Sequence, residues 1–74
     1  MDTQKKNTEL ATHINARAED CVINVLRNNG NGAMLWDIFD SSINEHRYVI
    51  EGETGELLPP METEEYAIEM WHNS

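Results

Sequence analysis

Two breaks divide this chain into three stretches. Asn28-Asn29-Gly30-Asn31-Gly32 gathers residues that tolerate the left-handed backbone of turns and helix ends. Pro59-Pro60 can neither continue a helix nor donate to a strand ladder. The fold must therefore be assembled from pieces lying before, between and after them. With 74 residues in all, the chain is close to the size at which folding buries only ~60% of the unfolded surface, so the margin of stability is thin. Cys21 is the single cysteine; it excludes an internal disulfide, and no Cys/His spacing suits a structural zinc. The expectation is one small domain over residues 1–74 that gains stability from a partner or from self-association.

Between residues 10 and 26, apolar side chains recur with helical spacing, and Ala11, Ile14, Ala18, Cys21 and Val25 step by three and four. This spacing predicts a long N-terminal helix, capped by Asn7 or Thr8 and stopped by the Asn/Gly run. Its stripe is an ordinary core face or, alternatively, a seam for self-association. Residues 33–39 read two ways: Met34, Trp36 and Ile38 alternate as on a strand, while Leu35, Ile38, Phe39 and Ile43 would also suit a helix; the aromatics and flanking glycines favour the strand. Arg47-Tyr48-Val49-Ile50, the turn-forming Glu53-Thr54-Gly55-Glu56 and Leu57-Leu58 predict a β-hairpin near 46–58 ended by the two prolines. Thr63 followed by Glu64 and Glu65 predicts a short C-terminal helix, with Tyr66, Ala67, Met70 and Trp71 on its apolar face and Ile68 off it. The fold class is α+β, in the order α-β-β-β-α with a small antiparallel sheet. Its expected core is Ile14, Val22, Val25, Trp36, Ile38, Val49 and Trp71.

The residues offer little chemistry. His13, His46 and His72 fall in three different elements without ligand spacing, so they read as surface histidines. Cys21 on an apolar stripe reads as a small hydrophobe. No nucleophile elbow, phosphate loop or dinucleotide motif occurs, and Glu51, Glu53 and Glu56 lack the order of a calcium loop. No enzyme, cofactor or metal is expected. Glu53-Thr54-Gly55-Glu56-Leu57-Leu58-Pro59 resembles the ETGE degron of an oxidative-stress transcription factor, whose glutamates enter a basic pocket on a Kelch-type propeller. The resemblance covers seven of 74 residues and has Gly52 where that motif is usually acidic; the segment is read as a solvated charged turn.

Charge is the remaining feature. Residues 1–36 balance four acids with four bases, whereas residues 37–74 hold ten acids and only Arg47, so the whole formal charge of −9 lies in the second half. Such a field repels nucleic acid and anionic membrane and attracts basic surfaces. Carboxylates along a small rigid body can imitate duplex phosphates and occupy the groove of a nucleic-acid-binding protein. The expected docking residues are Asp37, Asp40, Glu45, Glu51, Glu53, Glu56, Glu62, Glu64, Glu65 and Glu69. The expected function is a non-enzymatic inhibitor of the phage or mobile-element kind, acting in DNA-mimic, anti-CRISPR or anti-restriction style on a basic host protein, as a monomer or weak dimer. It would bind neither nucleic acid nor membrane directly. The alternative is an assembly subunit that self-associates through the first helix, its charge serving solubility. Met1 to Leu10 has no apolar export segment and no apolar run approaches ~18 residues, so the expected setting is the cytoplasm, that of the host if a phage encodes the chain.

Overall fold

The computed structural model describes residues 3–73. Its elements are α1 (Thr3–His13), a 3-10 turn (Ala18–Asp20), β1 (Cys21–Asn28), β2 (Met34–Asp40), β3 (Glu45–Glu51) and α2 (Glu64–His72). The strands form one antiparallel sheet in the order β1-β2-β3. This is the α+β class read from the sequence, two terminal helices and a small antiparallel sheet, but the strands are not the expected three. Residues 21–28, read as helix, form the first, and residues 57–58, read as the second arm of a hairpin near 46–58, make only an isolated bridge to Glu51.

The first helix is 11 residues long and does not reach residue 26. Asn15 ends it by taking a left-handed backbone (φ 62°), with Ala16 N–H donating to the Ala11 carbonyl (2.8 Å) and Asn15 N–H to that of Thr12 (3.0 Å). This paired closure turns the chain out of the helix at asparagine, fifteen residues before the first glycine. Asn7 and Thr8 lie inside the helix and cap nothing; the Thr8 hydroxyl donates back to the Gln4 carbonyl. Residues 21–28 are a strand because Val22, Ile23 and Val25 are β-branched, stiff in a helix and suited to a pleated surface, and because β2 pairs with them from Cys21↔Asp40 to Asn28↔Met34. A bulge between Val25 and Arg27 breaks the alternation. The three- and four-residue spacing of Ala11, Ile14, Ala18, Cys21 and Val25 thus spans a helix, a turn and a strand, and forms no helical stripe.

Side chains alternate between the faces of a sheet, and each face carries one helix. On one, Ile38 and Val49 meet Leu10 of α1, flanked by Ile14, Ile23 and Trp36. On the other, Leu35, Tyr48 and Ile50 meet Ala67 of α2 and Met61, flanked by Leu26, Ile68 and Trp71. Ile38 and Val49 are fully buried as expected, and Ile14, Trp36 and Trp71 are partly so. Val22 (58% exposed) and Val25 (45%) leave the core list, since β1 is the outer strand and neither helix covers it fully. On α2, Ile68 turns inward with Ala67 and Trp71, while Tyr66 and Met70 stay exposed.

The turn expected after β3 is present. Gly52 N–H donates to the Glu56 carbonyl (2.8 Å) and Gly55 N–H to that of Gly52 (3.0 Å), with Gly55 at φ +94°, where glycine is favoured. The chain then returns along the outer edge of β3, but pairs with it only at Glu51↔Leu57 and Tyr48↔Met61. Pro59 and Pro60 interrupt the ladder between these bridges because they bring no N–H. Thr63 caps α2 as read, its hydroxyl accepting from Tyr66 N–H (3.2 Å).

Candidate interaction surface

The ten carboxylates expected to form the docking face do not stand alike. Glu51, the last residue of β3, lies on the face shared by Val49 and is 8% exposed. It accepts from Lys6 Nζ (2.8 Å) and Trp36 Nε1 (2.9 Å), tying α1 to the sheet. The hydrogen bond from Lys6 to Glu51 raises the lysine pKa above its ordinary value, with Glu9 adding to the effect at 3.2 Å. Asp40, 6% exposed, accepts from the backbone N–H (2.9 Å) and hydroxyl (2.6 Å) of Ser42 and closes the β2–β3 turn. These two belong to the scaffold.

Asp37 is half-buried and pairs with His46 Nδ1 (2.8 Å), and Glu45 pairs with Arg47 (2.8 Å). Glu53 accepts from Asn29 Nδ2 (2.7 Å), joining the loop after β3 to the β1–β2 turn. The Thr54 hydroxyl donates to the Glu56 carboxylate and, with backbone donors, holds its pKa below the ordinary range. That carboxylate folds over Gly52, where any Cβ would collide with it.

Space brings these residues together in two groups. Glu45, Glu62 and Glu64 border a concavity of about 410 Å³ beside Tyr48, between the starts of β3 and α2. Burial raises the Tyr48 hydroxyl pKa, and the Asp37 and Glu64 carboxylates raise it further. Glu51, Glu53 and Glu56 border a second concavity of about 380 Å³ at the other end of β3, about 20 Å away at the rise of a strand. Glu65 and Glu69 lie on the exposed side of α2. Glu53, Glu56, Glu62, Glu64, Glu65 and Glu69 are all exposed and form no ion pair among the described residues.

The other reactive groups are separated. His13 Nε2 lies 2.8 Å from the Leu58 carbonyl, His46 is held by Asp37, and His72 is exposed at the end of α2. Among the described residues no cluster of His, Cys, Asp or Glu could hold a metal ion, and no helix is long and apolar enough to cross a membrane. Burial, with Asp40 and Asp20 nearby, raises the Cys21 pKa, the opposite of thiolate activation. Exposed Leu58, Tyr66 and Met70, which the sequence reading did not single out as a surface, border a third, apolar groove.

Comparison with family models, curated proteins and solved structures finds no match, so the residues themselves carry the functional reading.

The raised pKa values of Cys21, Tyr48 and Lys6 share one consequence. Each group binds its proton more tightly when folded, so its contribution is complete below the unfolded pKa and is lost as pH rises through the folded value. Urea midpoints should therefore begin to fall from about pH 8.5, where an unfolded cysteine starts to ionise, and fall further above about pH 10 with tyrosine and lysine, as tryptophan fluorescence would report.

Proposed function

We propose that this protein is a non-enzymatic binding module whose acidic second half docks on a basic surface of a nucleic-acid-binding host protein, as an inhibitor of the phage or mobile-element kind. The observation that supports this reading most is the set of six exposed carboxylates, Glu53, Glu56, Glu62, Glu64, Glu65 and Glu69, none of which forms an ion pair among the described residues. They lie on a loop and a helix fixed to a paired sheet, so little ordering cost opposes their use as a preformed surface. Arginine and lysine would be the partner's contribution. Asp37 and Glu45 already have cations beside them and would act at the margin, while Glu51 and Asp40 support the face from beneath.

Reversing Glu53, Glu56 and Glu64 to lysine tests this reading. The variant should stay folded, losing only the exposed Asn29–Glu53 and Thr54–Glu56 hydrogen bonds, because exposed charges contribute little. Its affinity for the basic partner should fall about 100-fold, and added salt should weaken the parent complex, since the screening length at 0.15 M is only ~8 Å. Binding unchanged by both would refute the charge-based reading.

Self-assembly is the second reading, and the exposed Val22 and Val25 on the outer strand are what favours it. Sedimentation across a concentration series separates the two, with a monomer or weak dimer expected.

A further inference from the structure

We propose that the groove between residues 58–61 and α2 is the docking centre of the partner, and that it receives one aromatic side chain from a segment flanked by cations. This rests on the proposed function and locates it: the carboxylates attract the partner, and the groove holds it. Ile50 and Met61 form the groove, with Leu58, Pro59, Tyr66 and Met70 along its walls, and its volume is about 270 Å³. Small-molecule sites usually span ~300–1,000 Å³; this one suits a single side chain.

Isolated exposed apolar residues are ordinary on a protein surface. Here Leu58 (38% exposed), Tyr66 (53%) and Met70 (39%) meet in one place, and convergence of this kind marks an interaction site. The walls suit an aromatic guest. The prolines are conformationally fixed, Tyr66 offers a ring, and two methionines supply adaptable thioethers that pack favourably against aromatic edges. Aromatic anchors in such pockets also dominate binding energy at interfaces.

Charge determines what flanks that anchor. No Lys, Arg or His lines the groove. Glu62 follows Met61 in the chain, and Glu65 and Glu69 lie one residue before and three after Tyr66 on α2. All three are exposed and form no ion pair among the described residues. An apolar centre with no cation in its walls, and with exposed carboxylates at the positions next to Met61, Tyr66 and Met70 in the chain, favours an aromatic carried among arginines or lysines and disfavours one carried among acids.

Three probes sharing one indole ring test this, a cationic and an anionic one with side chains of similar length and the bare neutral ring: tryptamine, indole-3-propionate and indole, titrated into the full ¹⁵N-labelled chain. Tryptamine should shift the amides of Leu58, Met61, Tyr66 and Met70 and bind at least fivefold more tightly than indole-3-propionate, with indole between them. Tyr66→Ala with Met70→Ala should abolish the shifts. Val22→Ala with Val25→Ala, removing apolar surface elsewhere, should leave them in place. Glu62→Gln, Glu65→Gln and Glu69→Gln together should bring the cationic and anionic probes within twofold of each other. The proposal is overturned if the groove amides do not respond, if the probes bind alike to the parent chain, or if the groove is covered in solution by a second copy that Met70→Lys releases. Failure of the probes while Glu53, Glu56 and Glu64 reversal still weakens the basic partner's complex would overturn the docking centre alone; failure of both would remove the acidic-surface reading as well.

Discussion

Ile38→Asp should leave no folded protein at room temperature, while Val25→Asp should fold with a loss of about 1 kcal/mol. Ile38 is fully buried beneath α1. Aspartate there would forfeit about 2–3 kcal/mol of apolar burial and place an unpaired carboxylate where ionisation costs several kcal/mol more. A chain of this size has about 4–11 kcal/mol of stability in all, and the low end is the fair comparison for a small core. Val25 is 45% exposed on the outer strand, so its replacement forfeits only part of a valine's burial, adds the poor strand propensity of aspartate and leaves the new carboxylate in reach of water. Circular dichroism with urea titration of both variants checks this pair. It also separates the strand from the helical stripe suggested by residue spacing, in which an aspartate at 25 would be as damaging as one at 38.

Glu51→Ala should cost about 2–3 kcal/mol, the largest loss expected from any of the acidic residues. It would strand the part-buried Trp36 N–H and leave Lys6 without its 2.8 Å partner. Breaking a fully buried pair costs about 3–5 kcal/mol; the lysine side chain here is 30% exposed, and water partly screens the loss. Glu51→Gln keeps an acceptor for Trp36 and should cost about 1 kcal/mol. A double-mutant cycle with Lys6→Met should give a coupling of about 1 kcal/mol or more, measured by urea denaturation. A coupling near zero would mean that the Lys6–Glu51 pair adds nothing to what packing of Leu10 and Ile14 already does to hold α1 on the sheet.

The parts of the fold legible in the sequence were those with local causes. Thr63-Glu64-Glu65 started α2, Gly55 closed its turn, and Pro59-Pro60 stopped pairing. The extent of α1 was not legible from spacing, because apolar residues of a helix, a turn and a bulged strand happened to fall three and four apart. The contrary signals were Asn15, able to take the left-handed region, and β-branched Val22, Ile23 and Val25. Composition placed the acidic surface in the second half but could not sort its members. Glu51 could have been set apart, since alternation along β3 puts it on the face of Val49 and hence toward the core. Asp40 could not, because its burial depends on the turn it closes with Ser42. The apolar groove was hidden for a similar reason: which side of α2 turns inward depends on tertiary packing, and Ile68 took the place expected of Tyr66 and Met70.

Competition with duplex DNA tests the central claim most directly. Parent chain and a variant with Glu53, Glu56, Glu62, Glu64, Glu65 and Glu69 all changed to glutamine would be immobilised side by side and exposed to host lysate at low salt. The expected result is a protein retained by the parent alone, released by added salt, displaced by duplex DNA, and unable to bind that DNA while the parent occupies it. Retention of the same proteins by parent and variant, undisturbed by salt or duplex, would contradict the claim that the carboxylates are the binding surface.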